Sequence, residues 1–320
     1  MEPRFDRRPW GFRDLRPWYD RVVPEGEEPI GEVWLTGDAN LVATGPYAGQ
    51  RLDAVFAEAG AALLGAQAPS TASPLLVKML FAAGKLSVQV HPDDAMAQKY
   101  GDPRGKTECW YVVAAEPGAQ LAVGLRPGVT LAQVEVEIAD GTLEQSLNAL
   151  PVAAGEMIFV DAGTVHAIWP GAILLETQQN CDLTYRMFDY GRPRELHVAR
   201  SLEATKLTTR AGKVAATPLA DRAVLIDREY FRVERVPVAG AMGSAALRGG
   251  QQPGLAYLFA VAGAGRIEGE GFTPVDLPVR SIVAVPATAP DFTVHDLGGL
   301  DLIRITPNWP AEKWPREKAR

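Results

Sequence analysis

Between Lys85 and His91 the chain reads KLSVQVH and alternates without a break. Leu86, Val88 and Val90 fall on one side, and Ser87, Gln89 and His91 on the other. A period of two is the mark of a strand with one face packed in a core. The outer face of a surface strand ordinarily carries Lys, Glu or Thr, which are at ease in water. Here it carries a hydroxyl, an amide and an imidazole, so the face is either solvated or the inner wall of a site.

Similar short runs recur along the chain, cut by 31 glycines and 25 prolines that are scattered rather than clustered. That punctuation favours many short strands over a helix bundle. Strands are expected at 32–37, 75–82, 86–91, 108–114, 119–124, 156–161, 172–179 and 183–190. LDAVFAEAGAALLG (52–65) reads as a helix, with Leu52, Val55, Phe56, Leu63 and Leu64 near one face and Gly65 as the stop. Shorter helical patterns cover 129–140, 142–150 and 198–206, although QVEVEI within the first could also alternate as a strand. TTRAGKVAATPLAD (208–221) is small and polar and reads as a linker. Beyond it only strands are expected, at the spacing of an all-β sandwich or barrel. The organisation is therefore a β-rich domain with helical decorations over 1–210 and a smaller all-β domain over 211–320.

Composition removes several functions. The 320 residues carry 32 Lys and Arg against 39 Asp and Glu, a net charge of −7, with no basic block to hold a nucleic-acid backbone. No run approaches the apolar length of a membrane span, and the first residues lack the apolar core of a signal peptide. Cys109 and Cys181 are the only cysteines, too few for a disulfide framework or a Cys-rich zinc site, which fits a reducing cytoplasm. Both read as packed thiols.

Each histidine can therefore be weighed. His91 and Gln89 project from one face. GKTECWYVV places Lys106 and Glu108 two apart at a strand start, and GEMIFVDAGTVHAI delivers His166 just after a tight turn. Gln89, His91, Glu108 and His166 supply a mixed N/O donor set for a divalent metal. Such a set leaves room for water or substrate, as catalytic sites require. Taken singly, each histidine is more often a hydrogen-bonded structural residue, and the acid an ordinary one.

A second pattern shifts that balance. Gly155 to His166 has the form G-x5-D-x-G-x2-H, which resembles the second motif of the cupin superfamily, with Asp161 where Pro is usual. The first cupin motif has H-x-H followed closely by Glu. Here Gln89 replaces the first His, and Glu108 lies 17 residues beyond His91. Both departures resemble one branch, the type I mannose-6-phosphate isomerases. KLSVQVHPDD, GKTECWYVV, DAGTVHAI, ILLETQQNCDLTYRMFDY and RELHVARSLE are similar to that family's motifs, in its order, over about residues 75–206. PWGF and IGEVW are similar to its opening.

The resemblance implies a mainly β fold of two cupin-like jelly-roll barrels or sandwiches, the first decorated with short helices and catalytic, the second degenerate and metal-free with His295 structural. It implies one Zn2+ per chain on Gln89, His91, Glu108 and His166, although the ligand chemistry also admits Fe, Co or Mn. It implies interconversion of mannose 6-phosphate and fructose 6-phosphate through a cis-enediol, with Arg186 as the active-site arginine. Lys106 and Glu176 are both candidates for the base, and the residues do not decide between them. Ser87 is placed to donate to the phosphate, with Arg186 or Lys99 to supply charge. Asp94 stands where the family commonly has a Lys, which leaves the phosphate contacts open. The expected partner is a small sugar phosphate, with no nucleic acid and no membrane, and the oligomeric state is not legible. The same donors would also serve an Fe(II) oxygenase or, disabled, a sugar-binding cupin.

Overall fold

The structure, a computed structural model, describes residues 1–66, 68–248 and 254–309. The chain divides into two compact units, neither continuous in sequence. One comprises Phe5–Val33 and 77–214, the other Met1–Arg4, 34–76 and 215–320. The 34–76 segment, which sequence order puts with the first 210 residues, thus groups with the later strands. The reason is non-local. The Leu52–Leu64 helix ends with the carbonyl of Leu63 accepting from Ala287 N at 2.9 Å and that of Ala62 accepting from Thr288 Oγ1 at 3.2 Å.

The first unit is built on two antiparallel sheets. The larger runs in the order Arg4–Phe12, Ile30–Trp34, Leu75–Phe81, Ala172–Gln179, Glu108–Ala115, Met157–Val160, Gly212–Val214. The smaller runs Tyr185–Phe188, Val88–Val90, His166–Ile168, Gln120–Leu125, Leu147–Pro151. A core drawn from both, with Trp110, Val112, Leu121, Val123, Ile158, Ile168 and Leu174, lies between them, as in a β-sandwich. The other face of the smaller sheet contributes Val88, Val90, Ala122, Tyr185 and Met187 to a second core. That core is closed by Val134 and Ile138 of the Leu131–Asp140 helix and Ala204 of the Val198–Ala204 helix. The alternating QVEVEI segment is thus helical, started by Thr130, whose hydroxyl accepts from Gln133 N, and stopped by Gly141 at φ 79.

The helix expected over 142–150 is largely a strand. Only Leu143–Ser146 form a single 3-10 turn, and Leu147–Pro151 pair antiparallel with Gln120–Leu125. Two short helices were not expected: Asp94–Lys99, capped by the Asp93 carboxylate accepting from Met96 N, and Ser244–Leu247 in the second unit. Apart from that helix and Leu52–Leu64, the second unit is a sandwich of a six-stranded and a four-stranded antiparallel sheet. Val236, Leu258, Ala260, Leu277, Val294 and Leu302 fill its core. The fold is therefore mainly β, two cupin-like sandwiches with a few short helices.

Candidate metal centre and active site

Three strands of the first unit converge on one buried point. Gln89 lies directly across from His166, and Glu108 opens the fifth strand of the larger sheet, opposite Gln178 and Val160. The end of the Gln89 strand is tied to the turn that delivers His166, because Gly163 N donates to the His91 carbonyl at 2.8 Å. Gly163 sits at φ 92, where side chains are strained, and an added Cβ would lie 2.6 Å from Lys206 Cδ. Asp161, standing where Pro is usual, closes the same turn through its carboxylate, which accepts from Thr164 Oγ1 at 3.0 Å and from Arg210 N at 3.2 Å.

The HPDD segment has a structural explanation. Asp94 accepts from Gly105 N at 2.7 Å and from Gln179 Nε2 at 2.9 Å, while Lys106 N donates to the Pro92 carbonyl at 3.0 Å. Asp94 thus holds the start of the Glu108 strand against the His91 strand, while Asp93 caps the Asp94–Lys99 helix and pairs with Lys206 Nζ at 2.8 Å. Gly105 permits that approach, since a Cβ there would lie 2.5 Å from the Pro92 carbonyl oxygen.

His91, Glu108 and His166 are fully buried, and one ligand atom from each lies within 4.8 Å of the others. Each imidazole is oriented from behind. His91 Nδ1 donates to the Leu183 carbonyl and His166 Nδ1 to the Thr164 carbonyl, both at 2.9 Å, so both Nε2 lone pairs face inward. Burial, reinforced by the Lys106 ammonium, pushes the pKa of His91 well down, and burial lowers that of His166 to about 4. Both rings are therefore neutral, as ligation requires. Glu108 Oε1 is buried with no hydrogen-bond partner. Two inward nitrogens and an orphaned carboxylate oxygen fit a divalent cation of the kind imidazole and carboxylate share.

Beside this point runs a chain of alternating charge. Lys106 Nζ donates to Glu108 Oε2 at 2.5 Å and to His91 Nε2 at 3.0 Å, and lies 3.9 Å from Glu176 Oε1. Glu176 lies 2.9 Å from Lys78 Nζ and accepts from Trp110 Nε1 at 3.1 Å. Lys78 lies 3.8 Å from Glu32, which Arg8 grips through Nε at 3.2 Å and Nη2 at 3.0 Å. Burial and the charge of Glu176 together raise the pKa of Glu108 against the pull of Lys106. Burial would raise Glu176 as well, but the Lys106 and Lys78 ammonium groups outweigh it and hold Glu176 below the usual carboxylate range. Lys106 is raised, its burial outweighed by Glu108 and Glu176. The two residues thus rest as an ammonium and a carboxylate.

A cavity of about 550 Å³ opens over this array. Ser87, Gln89, Lys106, Glu176 and Arg186 line it, so five of the residues expected from sequence share one cavity. Lys99 is elsewhere, paired on the surface with Glu203 at 2.5 Å. His295 is half exposed on the Phe292–Asp296 strand, 3.8 Å from Glu268. Cys109 is a buried free thiol and Cys181 a half-buried one. Sequence reasoning missed Lys78, Glu32, Arg8 and Arg194, which also line the cavity. Lys78 did carry a signal, a lone charge in the apolar strand LLVKMLF.

Fold and site together define a metal-binding cupin-type β protein. Residues 1–123 match the family model for the phosphomannose isomerase type I catalytic domain. A mannose-6-phosphate isomerase of Streptococcus mutans is 35% identical over 259 residues, covering 76% of this chain and 79% of that one. The Bacillus subtilis mannose-6-phosphate isomerase ManA is 33% identical over 290 residues, covering 86% and 89%. The crystal structure of a mannose 6-phosphate isomerase from Bacillus subtilis superposes with a TM-score of 0.83 at 29% identity, covering 95% of this chain and 98% of that one. The chain belongs to the type I mannose-6-phosphate isomerase family.

Proposed function

We propose that this protein is a metal-dependent aldose–ketose isomerase that interconverts mannose 6-phosphate and fructose 6-phosphate. The observation that carries the reading is the buried Lys106–Glu176 pair, which lines the cavity, beside the buried His91, Glu108 and His166 donors. His91, Glu108 and His166 would hold the cation, and a half-turn of the Gln89 amide, whose Nε2 now donates to His166 Nε2 at 3.2 Å, would offer Oε1 as a fourth donor. We assign zinc, which suits imidazole and carboxylate together. When bound, the cation supplies Lewis-acid polarisation of the sugar oxygens and stabilises charge developing on them.

The chain's own groups move the protons. Glu176, ionised at rest, takes the proton from C2, and the Lys106 ammonium gives one to O1, which leaves a neutral cis-enediol. In the second half Lys106 recovers a proton from the O2 hydroxyl and Glu176 returns its proton to C1, completing the ketose. A carboxylate held this low is a weak base alone. Its basicity rises as Lys106 gives up charge, because the Lys106 ammonium is the largest force holding it down. Arg186, on the same face as Gln89, offsets negative charge on the enediol oxygens. The second unit, in this reading, is metal-free.

Among the described residues no helix is long and apolar enough to cross a membrane, and we assign the protein to the cytoplasm. Kinship with isomerases disfavours the oxygenase and sugar-binding alternatives. The test is a coupled assay of fructose 6-phosphate formation before chelation, after it, and after return of zinc. Activity lost on chelation and restored by zinc is expected. If mannose 6-phosphate is untouched under every metal, the assignment fails.

A further inference from the structure

The Tyr185–Phe188 strand lies beside Val88–Val90 with Arg186 opposite Gln89, so both residues face the cavity. Arg186 Nη1 donates to the Glu195 carbonyl at 2.8 Å, and its Nε is buried with no hydrogen-bond partner. The loop that follows brings a second guanidinium to the same wall, that of Arg194.

Arg194 is fixed by a buried carboxylate. Its Nε and Nη2 donate to the two oxygens of Asp189 at 2.6 and 2.7 Å, a bidentate fork. Asp189, 2% exposed, also accepts from Arg192 Nε at 3.0 Å, and Arg192 Nη2 donates to the Lys85 carbonyl at 2.8 Å. Three arginines thus gather around one carboxylate, and the carboxylate faces Arg192 and Arg194. Arg186 is left with a lowered pKa, first from burial and then from repulsion by Arg194. Two guanidiniums lining one cavity, with the buried Nε of Arg186 left without a hydrogen-bond partner, favour an anion between them. Lys99, the other residue expected to supply charge, is engaged with Glu203 instead.

We infer that Arg194, oriented by Asp189 and paired with Arg186, holds the phosphate monoester of the substrate, with Asp189 as its positioning residue. This rests on the isomerase reading for the identity of the substrate, but the subsite itself requires only a phosphate dianion. A planar fork matches phosphate oxygens two at a time, which a lysine cannot do.

The test uses the metal-loaded full chain and two probes, mannose 6-phosphate turnover and direct calorimetric binding of inorganic phosphate. Arg194→Ala is expected to raise KM by about 10- to 100-fold, and to weaken phosphate binding by a similar factor, as loss of a charged hydrogen-bonded contact does. The effect should fall on KM more than on kcat, with metal content intact. Arg194→Lys, which keeps the charge and loses the fork, should recover part of both losses. Unchanged KM and phosphate binding in Arg194→Ala would overturn the proposal. If the wild type turns over no mannose 6-phosphate yet binds phosphate and the variant does not, the subsite stands and the isomerase reading falls. Wild-type protein that binds no phosphate overturns the subsite.

Discussion

Lys78 is the most demanding test of the buried charge chain. Its side chain and that of Glu176 are 5% and 4% exposed, with 2.9 Å between the charged atoms, and Glu32 lies 3.8 Å away on the other side. Lys78→Met removes the cation and keeps most of the volume, so the loss is electrostatic. Removing one partner of a buried pair costs about 3–5 kcal/mol, because the other charge is stranded. Lys106 at 3.9 Å and Trp110 at 3.1 Å still face Glu176, which places the expectation near the lower limit, about 3 kcal/mol. For a unit of this size each kcal/mol moves Tm by about 2–4 °C, so a fall of about 6–12 °C is expected in scanning calorimetry of the metal-loaded protein. Lys78→Met combined with Glu176→Gln removes both charges and should recover much of that loss, a coupling a double-mutant cycle reads directly. A shift below about 2 °C for the single change, or simple additivity in the double, would refute the reasoning.

Other perturbations address separate parts of the account. Gly105→Ala forces a Cβ to within 2.5 Å of the Pro92 carbonyl, and should cost about 1–3 kcal/mol and reduce metal retention, read by calorimetry and metal analysis. Arg186→Ala should lower turnover far more than metal content, and equal loss of both would make the residue a structural one. In the second unit Glu234 is ringed by Arg304, Arg232 at 2.8 Å and Arg222 at 3.6 Å, and these charges outweigh its burial and lower its pKa. A depressed carboxylate stabilises the folded state above its unfolded value of 4.5 and loses that contribution as pH falls through the folded value. Glu234→Gln should therefore lower stability at pH 7 and flatten its decline on acidification, which denaturation at a series of pH values would show.

The shared face of the first strand was legible because strand alternation is local: Ser87, Gln89 and His91 lie on one side whatever the rest of the chain does. Glu108 and His166 needed only their motifs. What stayed hidden depends on contacts distant in sequence. Leu143, Leu147 and Leu150 fall at helical spacing, yet 147–151 is a strand because Gln120–Leu125 offers it an edge. The role of Lys78 is set by Glu176, which arrives 98 residues later along a neighbouring strand. Arg194 shows nothing in sequence beyond a charge in a loop, and only the buried Asp189 gives it direction. The Asp93–Asp94 pair broke the expected pattern for a reason period could not show: one caps a helix and the other pins Gly105.

The proposed activity depends on whether the three inward atoms of His91, Glu108 and His166 hold a metal. Elemental analysis of the purified protein, beside His166→Ala and Glu108→Gln variants verified as folded, measures this directly. About one equivalent of divalent metal in the wild type, and a small fraction of that in each variant, is predicted. Wild-type metal content in either variant, or activity in protein that binds no metal, would contradict the central claim.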